Sequence, residues 1–205
     1  MVDADVSARA GWDVVSLATA FLDAGARLLQ LRAKHATGRD VLRWTDAIAA
    51  RLASYAGATL VTNDRVDVAL AASVPCVHVG QDDLAPDDVR ALLGPSGFIG
   101  LSTHTQAQIA NACAAPIDYL AVGPVYGTTT KDTGYAPVGL TLVRHAAVAA
   151  AGAGLPVVAI GGIRAERCQE LVEAGASAVA VIGGLLEDGD PAAGVRRYLQ
   201  ALGEA

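Results

Sequence analysis

Seven short runs of apolar, β-branched residues recur along the chain, each separated from the next by a stretch with helical spacing. This alternation constrains the fold more than any other feature. Strands are expected at Leu28–Ala33, Thr59–Asp64, Cys76–Gly80, Phe98–Thr103, Tyr119–Pro124, Pro156–Gly162 and Ala178–Gly183. Helical spacing covers Trp12–Ala24, Arg39–Tyr55, Val66–Ala72, Pro86–Leu93, Thr105–Ala114, Leu140–Ala151, Ala165–Ala174 and Pro191–Leu202. Strands that alternate with helices form a parallel sheet joined by right-handed crossovers. Two architectures are open to such a chain, a (β/α)8 TIM barrel and an open doubly wound sheet. Only Met1-Val2-Asp3 can supply an eighth strand, so the barrel reading carries a truncated first strand. The barrel is preferred because polar residues end nearly every strand, and the last two strands finish in Gly-Gly, where barrels commonly seat a phosphate. With 205 residues and 53% hydrophobic content, the chain reads as a single α/β domain over 1–205.

Composition excludes several classes of function. The net charge is −6 and no basic run interrupts it, so nucleic acid is a poor partner. Aromatics make up only 4% of the chain, which argues against a large aromatic-lined pocket. Cys76, Cys113 and Cys168 are far apart and outside any Cys-x-x-Cys spacing, which fits a reducing cytoplasm and neither a disulfide framework nor a thiolate metal site. The start, Met1-Val2-Asp3-Ala4-Asp5, lacks the order of a signal peptide. The most apolar stretch, from His145 to Ile160, is broken by Gly152, Gly154 and Pro156, so no membrane span is expected. Association into a homo-oligomer is left open.

The chemistry gathers at the strand ends. Asp64 closes the third strand and Asp83 follows the fourth. Neighbouring strands lie roughly 4.8 Å apart, so the two carboxylates can face one cation. Such hard oxygen ligands suit Mg²⁺, which takes the rest of its shell from water and substrate phosphates. The competing reading has both acids only capping the helices that follow, and Asp82 is an alternative to Asp83. On the second strand, alternation puts Gln30, Arg32 and Lys34 on one face, and three polar side chains inside a barrel need a polar ligand. Lys131 adds a cation, while Asn63 and Ser102 add neutral hydrogen-bonding groups. That many donors beside a metal suit a pyrophosphate. Gly162 and Gly183-Gly184 can bring backbone N–H groups up to a phosphate, although glycines also end strands for packing reasons. Cys76 and His78 read as core residues, His78 as a satisfied histidine rather than a base. His104 follows Ser102-Thr103 within reach of a ligand but reads as non-catalytic, and His35 and His145 read as solvated. No nucleophile elbow is present in the sequence.

Taken together, Gln30-Leu31-Arg32-Ala33-Lys34, Thr62-Asn63-Asp64-Arg65, His78-Val79-Gly80-Gln81-Asp82-Asp83, Gly100-Leu101-Ser102-Thr103-His104-Thr105, Gly123-Pro124-Val125-Tyr126-Gly127-Thr128-Thr129-Thr130-Lys131 and Ala159-Ile160-Gly161-Gly162-Ile163 resemble the strand ends of the thiamine-phosphate synthase family. The resemblance runs in order from about Val2 to the last helix. It implies a transferase of thiamine biosynthesis that joins an aminopyrimidine methyl diphosphate to a thiazole phosphate or its carboxylated form, releasing pyrophosphate. It also implies a substrate-binding role for Gln30, Leu31, Arg32, Ala33, Lys34, Asn63, Ser102, Thr128, Thr129, Thr130, Lys131, Gly162, Ile182 and Gly183. Arg32, Ser102 and Lys131 would act in catalysis, and Asp64 and Asp83 would hold Mg²⁺.

Two departures from the family pattern stand out. The family usually has Ser where this chain has Gly183, and its first strand is several residues longer than Met1-Val2-Asp3. Two rival readings are a thiazole tautomerase and a non-catalytic phosphate-binding barrel. The tautomerases generally lack the acidic pair and carry His where Pro124 stands, and a degenerate barrel would have lost the acids or the lysine. Neither pattern is found here.

Overall fold

In the computed structural model, which describes residues 1–127 and 134–203, eight parallel strands follow one another around a curled sheet in the order β1 to β8. The strands are β1 (Val2–Asp3), β2 (Leu28–Arg32), β3 (Thr59–Asn63), β4 (Cys76–Val79), β5 (Phe98–Thr103), β6 (Tyr119–Val122), β7 (Val157–Ile160) and β8 (Ala178–Ala180). The helices outside them are α1 (Ala4–Arg9), α2 (Val14–Asp23), α3 (Gly38–Leu52), α4 (Val66–Ala71), α5 (Pro86–Leu93), α6 (Gln106–Ala114), α7 (Gly139–Ala153), α8 (Cys168–Glu173) and α9 (Pro191–Ala201). Sequential order without reversal excludes the doubly wound sheet, whose strand order reverses at a switch point. The fold is a TIM barrel with a two-residue first strand.

Each strand has one face toward the helices and one toward the barrel axis. On β2, Leu29 and Leu31 are both 1% exposed and pack beneath the helices, so Gln30 and Arg32 point inward. Burying one such leucine contributes about 1.5–3 kcal/mol, and truncating it to Ala would cost about 2–5 kcal/mol. The inner layer is a separate, smaller cluster of Tyr119, Ala121 and Val158, with Phe98, Ile160, Ala178 and Ala180 against it. The alanines in it, Ala121, Ala178 and Ala180, leave room within the barrel.

Local chemistry sets the helix limits. The Asp13 carboxylate accepts from Val15 N at 3.0 Å and Ser16 N at 2.9 Å, which starts α2 two residues later than Trp12. Helix α1, which has no counterpart among the expected helices, is built the same way. Asp3 caps Val6 N at 3.0 Å, and the Ser7 hydroxyl donates back to Asp3 O at 2.6 Å. Six residues are too few for an apolar repeat to show in the sequence. The expected helix Ala165–Ala174 is a 3₁₀ turn, Ala165–Arg167, running into α8. A second 3₁₀ turn, Gly183–Leu185, follows β8.

The sheet does not close by a ladder. β1 pairs with β2 through Val2–Leu31 and Asp3–Arg32, and no ladder joins β8 to β1 among the described residues. The seam is bridged by the Met1 amino group, which donates to Val181 O at 2.7 Å. Beneath it lies a cavity of about 450 Å³, bordered by Leu28, Leu29, Ala178, Val181, Leu199 and Leu202 and reaching inward to Gln30 and Tyr119.

Candidate active site

The acidic pair forms where β3 and β4 end. Asp64 follows the last residue of β3 with φ 62°, a left-handed conformation that Asp adopts more readily than most residues and that marks strained, site-building turns. The turn is fixed by the Asp64 N–H, which donates to His78 O at 2.8 Å on β4. Asp83 is held by Gly80 N, which donates to its Oδ2 at 2.8 Å. The Asp64 carboxyl titrates above the usual range. Burial raises it most, the Lys34 ammonium opposes that, and the adjoining Asp83 carboxylate adds to the rise. The two acids therefore come together, as the strand spacing requires. Lys34 forms an ion pair with Asp64.

Arg32 points into the same sector but is not free. Its guanidinium pairs with Asp3, the α1 cap, whose side chain is 3% exposed. Among the described residues, two buried atoms here have no hydrogen-bond partner, Arg32 Nε and Gln30 Oε1. Such groups cost on the order of 1–3 kcal/mol each when left unmade, and both lie on the inward face of β2. Leu31 is packed under the helices and Ala33 is partly buried against the same core, so these two offer a ligand only backbone. Asn63 is half-buried at the end of β3, next to Asp64.

Ser102, on β5, belongs to a chain of polar groups through the barrel axis. His78 Nε2 lies 2.8 Å from Ser102 Oγ, and His78 Nδ1 lies 2.8 Å from the Tyr119 hydroxyl. Gln81 Nε2 donates to Ser102 O at 2.7 Å. The Gln30 amide approaches the Tyr119 hydroxyl, but burial dominates and pushes that phenol well above its ordinary range. His78 and Phe98 flank the Tyr119 ring, with centroids 5.4 and 5.3 Å away. His78 is a satisfied histidine, as expected, with Ser102 and Tyr119 as its partners. Register, which the sequence does not display, brings Tyr119 opposite Gly100.

A second sector forms at the ends of β6, β7 and β8. Val125 N donates to Ile160 O at 2.9 Å and Tyr126 N to Gly161 O at 3.0 Å, so the segment after β6 runs along the end of β7. Gly162 has φ 63°, and a Cβ there would lie 2.3 Å from Gly127 O. No other residue fits that position. A cavity of about 220 Å³ lies between these ends, lined by Gly127, Gly162, Arg164, Ile182, Gly183 and Gly184 among others. No backbone carbonyl among the described residues takes the N–H of Gly162, Gly183 or Gly184. His104 borders the cavity, stacked on Tyr135 with centroids 3.8 Å apart and hydrogen-bonded to Gly123 O. Thr128, Thr129, Thr130 and Lys131 lie outside the described residues.

Cys76 is no nucleophile candidate, since burial raises its thiol pKa. No helix among the described residues is long and apolar enough to cross a membrane.

Known proteins are similar to this chain in sequence and in shape. A synthase from Corynebacterium efficiens, named thiamine-phosphate synthase, is 40% identical over 198 residues, covering 93% of this chain and 89% of that protein. A protein of the same name from Koribacter versatilis is 42% identical over 178 residues, covering 87% and 81%. The solved structure of thiamine phosphate pyrophosphorylase from Pyrococcus furiosus superposes with a TM-score of 0.83 at 27% identity, covering 93% of this chain and 89% of that one. The sequence profile of the family described as thiamine monophosphate synthase matches residues 4–185, and the chain belongs to that family.

Proposed function

We propose that this protein is a thiamine-phosphate synthase whose two sectors hold the two substrates, the pyrimidine diphosphate over β2 to β5 and the thiazole phosphate over β6 to β8. The observation that carries this reading is the pair of buried atoms, Gln30 Oε1 and Arg32 Nε, unpartnered among the described residues, on the strand next to the one that Asp64 follows. An acceptor suited to an exocyclic amine and a donor suited to a phosphate oxygen thus lie two residues apart on one strand face.

Asp64 and Asp83 would hold Mg²⁺. The fit rests on their donor set: two adjacent carboxylates repel one another, and no third acid, histidine or cysteine joins them among the described residues. Such a pair leaves most of the shell to water and to the diphosphate, as Mg²⁺ prefers. When bound there, the ion supplies positive charge to the departing pyrophosphate. Arg32, Lys34, Asn63 and Lys131 are the residues assigned to the same oxygens. Lys34 is paired with Asp64 and Arg32 with Asp3, so these cations stay ordered before the ligand arrives.

The pyrimidine end is assigned to Gln30, His78, Ser102 and Tyr119, which lock one another through the hydrogen bonds above. In the reaction the bond from the pyrimidine methylene carbon to the diphosphate oxygen breaks, and its electron pair leaves with pyrophosphate. The ring amine stabilises the methylene cation, and the thiazole nitrogen lone pair forms the new carbon–nitrogen bond. Positioning and charge carry such a step, and no strong general base is required. Thr128, Thr129 and Thr130 are assigned to the thiazole partner, with Gly162, Ile182 and Gly183 offering backbone to its phosphate. A cytoplasmic location belongs to the same reading, supported by three free cysteines.

The test is direct. Incubation with both substrates and Mg²⁺ should yield thiamine phosphate and pyrophosphate in equal amounts. Isomerisation of the thiazole without consumption of the diphosphate would instead favour the tautomerase reading.

A further inference from the structure

We infer that Arg164 is the charged anchor of the thiazole phosphate, a role that the glycine-lined sector cannot fill with its own side chains. The inference rests on the two-sector reading above. Arg164 follows Gly161-Gly162-Ile163 at the end of β7 and lines the 220 Å³ cavity together with Gly162, Gly183 and Gly184. Its side chain is exposed and enters no ion pair or side-chain hydrogen bond among the described residues. The neighbouring cation is not available in this way. Arg167 is held by Glu170 at 3.1 Å and lies over the Tyr126 ring at 4.6 Å.

Electrostatics gives the residue its task. The chain carries a net charge of −6, and Glu187 borders the same cavity. A phosphate seated there by neutral N–H groups alone would face a carboxylate with no counter-charge near it. Gly183 supplies no hydroxyl to help. A guanidinium with its donors uncommitted matches a phosphate in both charge and geometry, and Arg164 is so placed. Glu187 then acts in the opposite sense, weakening anion binding and limiting the cavity to ligands that engage the arginine.

Arg164→Gln, Arg164→Lys and Glu187→Gln test this with steady-state kinetics on both substrates, melting temperature, and titration with inorganic phosphate followed at the Gly162 and Gly183 amides. Charge-assisted hydrogen bonds of this kind correspond to roughly 10- to 100-fold in affinity. Arg164→Gln should raise KM for the thiazole phosphate by that factor, leaving KM for the diphosphate and the melting temperature unchanged. Arg164→Lys should recover part of the loss, and Glu187→Gln should lower the same KM. An unchanged KM in Arg164→Gln, or an equal rise for both substrates with a lower melting temperature, overturns the assignment. Should the wild-type protein form no thiamine phosphate, the synthase reading fails while the phosphate titration still decides the arginine. Weaker phosphate binding in Arg164→Gln sustains its role, and equal binding removes it.

Discussion

Gly100 on β5 and Tyr119 on β6 are register partners, and a Cβ at position 100 would lie 2.0 Å from the Tyr119 ring. The absent side chain is what lets the ring lie across the barrel axis and reach His78. Gly100→Ala should push the ring away and break that bond, at an overpacking cost of about 1–3 kcal/mol. The expected readout is a lower melting temperature together with a raised KM for the pyrimidine diphosphate and an unchanged KM for the thiazole phosphate. Equal effects on both substrates would show that the Tyr119 chain does not serve the pyrimidine sector.

The acidic pair predicts metal dependence. Asp64→Asn keeps a residue type that accepts the left-handed turn, whereas Ala at φ 62° would add strain to the lost charge. Asp64→Asn and Asp83→Asn should each remove most Mg²⁺-dependent turnover with little change in melting temperature, because neither side chain belongs to the apolar core. Turnover that survives in a chelator would contradict the assignment.

Lys131 is assigned to the departing pyrophosphate, where charge grows as the bond breaks. Lys131→Ala should therefore lower kcat by on the order of 10²-fold. An effect confined to KM would place the lysine in ground-state binding only.

The strand ends were legible in the sequence because a strand exposes its polar residues only where it stops being buried. Asp64 and Asp83 needed nothing more than strand order to be brought together. Tyr119 and its contact with His78 needed register, since that contact crosses from β4 to β6, and Val77, Val79 and Leu120 beside them give the two the look of ordinary core. The partner of Arg32 was hidden for another reason. Asp3 reads as part of a stub, and only the fold reveals it as cap of α1 and counter-ion at once. Packing also explains a glycine that was read chiefly as a phosphate donor, since Gly127 O leaves no space at Gly162 for any side chain.

Gly183 offers no hydroxyl to the cavity it lines, so the chain supports a gain-of-function test. Gly183→Ser should tighten thiazole phosphate binding by about 0.5–1.5 kcal/mol, the net contribution of one hydrogen bond. A well-folded variant of unchanged KM would show that a hydroxyl there does not reach the phosphate.

The open seam carries the last prediction. β2 pairs with β1 only at Leu31 and Arg32, which leaves Leu28, Leu29 and Gln30 without a strand partner on that side. On the other side of the gap, the Met1 amino group donates to Val181 O, just past the end of β8. Burial lowers the pKa of that amine to about 5. The cavity of about 450 Å³ between these strands is lined by Leu28, Leu29, Ala178 and Leu199, an apolar slot across which no ladder runs among the described residues. Several alternating β-branched residues added before Met1 should lie in that slot, complete the ladders and raise the melting temperature by a few degrees, in line with about 1–2 kcal/mol for a domain of this size. Calorimetry on the extended and unextended proteins measures the difference. Equal melting temperatures would mean that the slot does not accept a strand, and that α2 and α9, packed across the seam, already hold the barrel as firmly as a ladder would.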